Sequence, residues 1–237
     1  MKYCDRRKTL KLFKSLSCLF VVLGLLVFMT GCPKTADKAQ PQGMVYYAYF
    51  DTVSYVYSYA GDSKEDFAKN CAEVEKVLEE YHQLFDIYYE YSGVINLCTI
   101  NKNAGGPALT VDQRLIDFLL YAKELYTLTC GEMNIMMGAV LRPWHDCRSA
   151  ASSDLKNAQI PTEEELLAAK AHTDISLLEI DDENNTVRIT DPKASIDVGA
   201  LGKGYATEMA ARRLKASSIN PCVSIIALHT AGVIFFL

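Results

Sequence analysis

The stretch Ala194-Ser-Ile-Asp-Val-Gly-Ala-Leu-Gly-Lys-Gly-Tyr205 decides how the rest of the chain is read. Ile196 and Val198 flank Asp197 in a short apolar run that predicts a strand ending at Asp197. Glycines stand at 199, 202 and 204 with Lys203 between the last two. Ala206, Met209, Ala210 and Leu214 then recur at helical spacing. A strand, a glycine-rich turn and a helix start bring free N–H groups and a partial positive charge to one point. Glycine lets a ligand approach the backbone there, and Lys203 adds a full charge. Two readings fit this spacing: a phosphate cradle, and a tight strand-to-helix turn with a solvated lysine. It is not a Walker loop, because Gly204 stands where Ser or Thr belongs and the glycines are too close together.

Upstream, two segments carry further unusual composition. Leu128-Thr-Cys-Gly-Glu-Met-Asn-Ile-Met-Met-Gly138 runs on to Leu141-Arg-Pro-Trp144, with Gly131 as a helix stop. Its methionines and the single Trp fit either core or an apolar pocket wall. Phe85-Asp-Ile-Tyr-Tyr-Glu-Tyr-Ser92 leads to Ile95-Asn-Leu-Cys-Thr-Ile-Asn101. Its tyrosines fit a half-buried surface or the flank of a planar ligand.

Around these segments the hydrophobic periodicity predicts a mixed chain. Val53, Tyr55, Tyr57 and Tyr59 alternate with Ser54, Val56 and Ser58, the period of a strand. Ser63 with Asp66 marks a helix start, and Phe67, Cys71, Val74, Leu78 and Tyr81 follow at helical spacing. A second helix is expected from Asp112 to Leu128, and a short third from Thr162 to Lys170. Residues 175–180 and 186–190 read as a hairpin around Asp181-Asp-Glu-Asn-Asn185. Without a regular strand–helix–strand rhythm, the fold class is α+β.

The N-terminus has its own signature. Lys2, Arg6, Arg7, Lys8, Lys11 and Lys14 precede an apolar run from Leu16 to Phe28, which ends at Met29-Thr-Gly-Cys32. A basic start, an apolar stretch shorter than the roughly 20 residues of a membrane span, and small residues before a cut site describe a secretory signal. Residues 1–31 are read as that signal, Cys32 as the lipidated first residue of the mature chain, and 32–43 as a polar spacer. The domain then covers 44–237, outside the cytoplasm on a membrane anchor.

The whole chain carries a net charge of −5. Residues 1–31 hold six of the 24 basic and one of the 29 acidic side chains, so the remainder stands at about −10. That balance argues against nucleic acid as a partner. Of eight cysteines, Cys71, Cys98, Cys130, Cys147 and Cys222 lie beyond Cys32. Their odd number and wide spacing support neither a disulfide framework nor a zinc site, and most are read as small buried hydrophobes.

Taken in order, these segments resemble the ApbE family of FAD:protein FMN transferases. Phe50-Asp-Thr-Val resembles the family's opening strand motif. Phe85-Asp-Ile-Tyr88 with Ser92, Ile95 and Asn96 is similar to F-s-x-Y-x-x-x-S-x-l-x-x-l-N. Thr129-Cys-Gly-Glu-Met-Asn134 through Trp144 is similar to T-x-G-x-F-d-x-t-x-x-P-l-x-x-l-W. Ile196-Asp-Val-Gly-Ala-Leu-Gly-Lys-Gly-Tyr205 matches I-D-l-G-g-i-A-K-G-Y, the most specific of the four. The resemblance runs from about Phe50 to Leu214. It implies a T-fold-like domain that moves FMN from FAD onto a Thr hydroxyl of a partner protein and releases AMP, with Mg²⁺ bridging the pyrophosphate. It implies flavin-nucleotide contacts at Phe50, Tyr88, Glu132, Met133, Asn134, Asp197 and Lys203, and a metal contact through the backbone carbonyl of Ala200.

This sequence departs from the family pattern at Glu132-Met-Asn134, where Ala-Phe-Asp is usual, and at Leu201-Gly202, where Ile-Ala is usual. The family's later G-G-N, H-x-x-D-P-x-x-G and Asp/Thr-rich motifs do not follow Ser218, and His229 matches none of them. The expectation is a domain incomplete at its C-terminus through a frameshift or early stop, with no catalytic residue assignable. A flavin-binding lipoprotein without transfer activity, or an inactive truncated fragment, is the alternative.

Overall fold

A computed structural model describes residues 42–58, 63–216 and 224–229. The signal segment, Cys32 and the rest of the spacer up to Pro41 lie outside the described residues, as do Cys222 and the apolar end of the chain.

Two small antiparallel sheets are joined by helices. β1 (Gln42–Tyr46), β2 (Val53–Ser58) and β6 (Ser224–His229) form the first, with β2 central. β1 begins inside the expected spacer, since Gln42 pairs with Ser58 and Gly43 with Tyr57. Ser54, Val56 and Ser58 form the buried face of β2. Tyr55 and Tyr57 take the other face, their rings stacked 5.9 Å apart. The second sheet has the order β3 (Leu109–Thr110), β5 (Thr186–Ile189), β4 (Leu178–Asp181). Its β4–β5 hairpin is the expected one, shortened because Ile175–Leu177 forms a single 3-10 turn.

The long helix α1 (Lys64–Phe85) starts at Ser63, whose hydroxyl oxygen accepts from the Asp66 N–H at 3.0 Å. Its apolar stripe, Phe67, Cys71, Val74, Leu78 and Tyr81, is the buried one. α2 (Leu97–Lys102) is a short helix capped by Asn96. α3 (Gln113–Leu128) carries Leu115, Phe118, Leu119 and Ala122 into the core. α4 (Gly138–Ser153), α5 (Glu163–Lys170) and α6 (Gly202–Ala216) complete the described residues. Thr162 and Glu165 cap each other reciprocally at the start of α5.

The centre of the domain is aromatic. Phe85 at the end of α1 lies 4.1 Å from Phe118, and Tyr205 on α6 meets Phe118 edge-on at 5.0 Å. Phe118 is fully buried, so its removal costs about 3–5 kcal/mol. Tyr205, the last residue of the glycine-rich motif, therefore anchors α6 on α1 and α3 and fixes where the motif's turn can sit.

Several local expectations change. Phe50 and Asp51 are not in a strand: both have positive φ, 57° and 50°. They are the central residues of a tight turn closed by Thr52 N–H donating to Tyr49 O at 3.3 Å, within the longer connection between β1 and β2. Ala194–Val198 belongs to neither sheet. The Asn101 side chain takes the place of a neighbouring strand, its amide nitrogen donating to Ile196 O at 2.9 Å and its oxygen accepting from Ile196 N–H at 2.7 Å. Of the described cysteines, Cys71 and Cys98 are buried as expected, Cys130 is exposed and Cys147 is partly exposed.

Candidate functional site

Three stretches of chain converge at the end of α1. The Tyr49–Thr52 turn, the loop after Phe85, and the turn into α6 enclose a cavity of about 350 Å³, with α4 as its fourth wall. Phe50, Tyr88, Asp197 and Lys203, which lie far apart in sequence, all line it. Asp51, Asp86, His82, His145 and Arg148 line it with them.

Each wall is held by a side chain that the local sequence supplies. Asp86 ends α1 as its C-cap residue. Its Oδ1 accepts from the N–H groups of Tyr88 at 2.7 Å and Tyr89 at 3.0 Å. Its Oδ2 accepts from the Tyr91 hydroxyl at 2.8 Å, so the carboxylate is used in shaping the loop. Asn96, fully buried, donates to the carbonyls of Gln83 and Tyr89 and ties that loop back to the helix. Tyr88 is thereby held half exposed over the cavity. Its hydroxyl meets His145 Nδ1 at 3.0 Å. Burial is the main cause raising its phenol above the ordinary value, with Arg148 opposing the shift.

On the opposite wall Asp197 has a nearly buried side chain, 9% exposed. Its Oδ1 accepts the Gly199 N–H at 2.9 Å, and its Oδ2 lies 3.8 Å from His145 Nε2. Asp197 thus folds the glycine-rich turn around itself. α6 starts directly at Gly202, so Lys203 lies in its first turn. Gly202 is packed on the α1 terminus: a Cβ there would come 3.0 Å from the Phe85 ring. Among the described residues, neither Lys203 nor Arg148 sits in an ion pair. Two cations without carboxylate partners and a helix N-terminus at one cavity suit an anionic ligand, and Phe50 and Tyr88 supply flat apolar faces beside it.

Glu132, Met133 and Asn134 stand elsewhere, outside the lining of this cavity. Glu132 is exposed. Met133 N–H donates to Thr129 Oγ1 at 2.9 Å. Asn134 uses both ends of its amide: Nδ2 donates to Thr173 O at 2.8 Å and Oδ1 accepts from Met136 N–H at 2.9 Å. Met136 is fully buried core, whereas Trp144 is 42% exposed, so the two do not form one pocket wall. Ala200 is exposed in the turn before α6. No three His, Cys, Asp or Glu side chains gather as a metal site among the described residues.

A second cavity of about 630 Å³ adjoins the first and shares Ile87, Tyr88, His145 and Asp197 with it. Lys102, Arg142, His172 and Lys193 also line it. His172 Nδ1 lies 2.6 Å from Asp191 Oδ2, and this contact is the chief reason the Asp191 carboxyl is held below its usual range.

Sequence reasoning missed His82, His145 and Arg148. The last two, three residues apart, share a face of α4. That spacing was visible, but Gly138 and Pro143 disguised the helix that gives it meaning.

The family model described as "ApbE family" matches residues 50–225. A curated FAD:protein FMN transferase from Vibrio cholerae is 24% identical over 200 residues, which cover 84% of this chain and 56% of that protein. One of the same name from Chlamydia muridarum is 23% identical over 137 residues, 58% of this chain and 40% of that protein. The chain thus spans about half the length of these relatives. Among solved structures, the ApbE protein from Thermotoga maritima superposes with a TM-score of 0.64 at 19% identity, covering 80% of this chain and 57% of that one. A variant of the flavin transferase ApbE from Vibrio cholerae gives 0.63 at 20% identity, covering 80% and 61%. These matches place the α+β fold with the ApbE flavin transferases.

Proposed function

We propose that this chain, which belongs to the ApbE family, binds FAD in the cavity between Phe50, Tyr88, Asp197 and Lys203 and hands its FMN half to a protein acceptor. The observation that carries the reading is the placement of Lys203 and Arg148, outside any ion pair among the described residues, beside two aromatic side chains on one cavity. A flavin nucleotide has both matching parts: a planar ring system and a pyrophosphate. Phe50 and Tyr88 would flank the ring, and Lys203, Arg148 and the α6 N-terminus would hold the phosphates. Asp197 would act through the turn it closes.

In the transfer, the hydroxyl oxygen of an acceptor Thr bonds to the phosphorus of the FMN half. The bond from that phosphorus to the AMP oxygen breaks, AMP leaves, and the hydroxyl gives up its proton. No described residue is assigned as the base. Mg²⁺ normally uses one or two carboxylates plus phosphate oxygens. Asp86 is already committed to the loop and Asp197 to the glycine-rich turn. Asp51 also lines the cavity, but no three His, Cys, Asp or Glu side chains gather as a metal site among the described residues, and no step here runs through the ion. Export and anchoring through Cys32 belong to the same proposal and rest on the N-terminal sequence.

The test is to incubate the purified protein with FAD, Mg²⁺ and a Thr-bearing acceptor while following flavin binding by fluorescence quenching and AMP by chromatography. Binding with stoichiometric AMP and flavin-labelled acceptor supports the proposal. Binding without AMP reduces the function to flavin retention, and absence of binding removes both.

A further inference from the structure

We propose that His82 is a positioning residue that clamps the Phe50 turn, and that protonating its imidazole releases the clamp. The proposal rests on the flavin reading of this cavity for its consequence, but the clamp itself is defined by the chain alone. Phe50 adopts φ 57° and Asp51 φ 50°. Two consecutive non-glycine residues in the left-handed region store strain that surrounding contacts must hold in place, most of all for a residue as bulky as Phe. His82 supplies two such contacts. Its Nδ1 lies 3.2 Å from the Phe50 amide nitrogen and its ring stands edge-on to the Phe50 ring at 5.6 Å. The amide can only donate, so Nδ1 is the unprotonated acceptor. Nε2 then carries the hydrogen and faces the Tyr91 hydroxyl at 3.3 Å, which donates onward to Asp86 Oδ2 at 2.8 Å. Asp86 in turn holds the backbone of Tyr88. One relay therefore joins both aromatic walls of the cavity, and it requires the neutral imidazole.

Polar and charged groups face His82 and its cavity from the turn, from α1 and the loop after it, from α4 and from the turn into α6. Tyr49 and Asp51 belong to the turn, and Glu75 and Glu79 lie beside Tyr49 on α1. Asp86 and Tyr91 follow α1, with His145 and Arg148 on α4 and Asp197 and Lys203 across the cavity. Carboxyl groups and phenols as classes titrate outside the range where imidazoles do. Burial pushes the Tyr49 and Tyr91 phenols further away, up to about 12. Among the described residues, His82 is the side chain hydrogen-bonded to the Phe50 amide.

The test measures hydrogen exchange of the Phe50 amide by NMR at about pH 8 and about pH 5.5, corrected for intrinsic rates, with FAD affinity measured in parallel. Wild-type protection is expected to fall about fivefold to tenfold at the lower pH, the effect of one hydrogen bond, and FAD affinity to fall with it. His82→Asn, whose side-chain oxygen can accept from the same N–H, should keep protection level across pH and make FAD affinity vary less with pH than in wild type. His82→Leu should lose protection at both. Wild-type protection that ignores pH, a His82→Asn profile that copies the wild type, or FAD affinity that stays constant while protection falls would each overturn the proposal. If FAD binds at no pH while Phe50 protection still follows His82, the flavin reading fails and the clamp stands.

Discussion

Two turns that the family resemblance marks as flavin contacts occupy different places in the fold. The turn Asp197–Lys203 faces the cavity, with Asp197 folded onto Gly199 and Lys203 in the first turn of α6. The turn Thr129–Asn134 ends α3 and lies off the cavity lining. Gly131 carries φ 92° there, and its N–H reaches back to Tyr126 O at 2.8 Å. The two are nonetheless physically joined. Asp197 N–H donates to Ile135 O at 2.8 Å, and Gly138 N–H to Ser195 O at 3.1 Å. The segment after the second turn is thus the backrest of the first. The first turn lines the cavity while the segment after the second supports it from behind.

Substitutions can separate the two roles. The largest effect is expected at the seam between them. A Cβ at Gly138 would stand 2.6 Å from Ser195 O, so Gly138→Val should cost about 3 kcal/mol or more in urea unfolding and weaken flavin binding indirectly. A Gly138→Val protein as stable as wild type would dissolve the link between the turns.

Asp197→Ala comes next. It removes the acceptor for Gly199 N–H beside the proposed phosphate position, and FAD affinity in a fluorescence titration should drop by about thirtyfold, or about 2 kcal/mol. Asn134→Ala should show the opposite profile. Losing both amide bonds should cost about 1–3 kcal/mol of stability while FAD affinity changes less than about threefold. Smallest is Glu132→Ala, an exposed side chain, with stability within about 0.5 kcal/mol of wild type and affinity within about twofold. Equal affinities for Asp197→Ala and Glu132→Ala would cancel the distinction between the turns.

Legibility in the sequence followed from how each element is stabilised. α1, α3 and α5 carry side-chain caps at Ser63, Asp112 and Thr162, and α1 and α3 also bury apolar stripes, so periodicity and capping located them. α4 buries only Gly138 and contains Pro143, which leaves no stripe to read and a residue that usually breaks helices. His145 and Arg148 went unnoticed with it. Ala194–Val198 imitates a strand because Ala194, Ile196 and Val198 are buried, yet it is held by the Ile135–Gly138 backbone and by the Asn101 side chain, contacts about 60 and 95 residues away that no local pattern encodes. The Phe50 turn was hidden for a related reason. Its left-handed backbone has no glycine to announce it and is held from a distance by His82.

The most direct test of the central claim is a crystal structure of the protein soaked with FAD. The account predicts the flavin ring system between Phe50 and Tyr88, with the pyrophosphate within hydrogen-bond reach of Lys203 and the start of α6. Density for FAD against Glu132–Asn134, with the Phe50–Lys203 cavity empty, would contradict it.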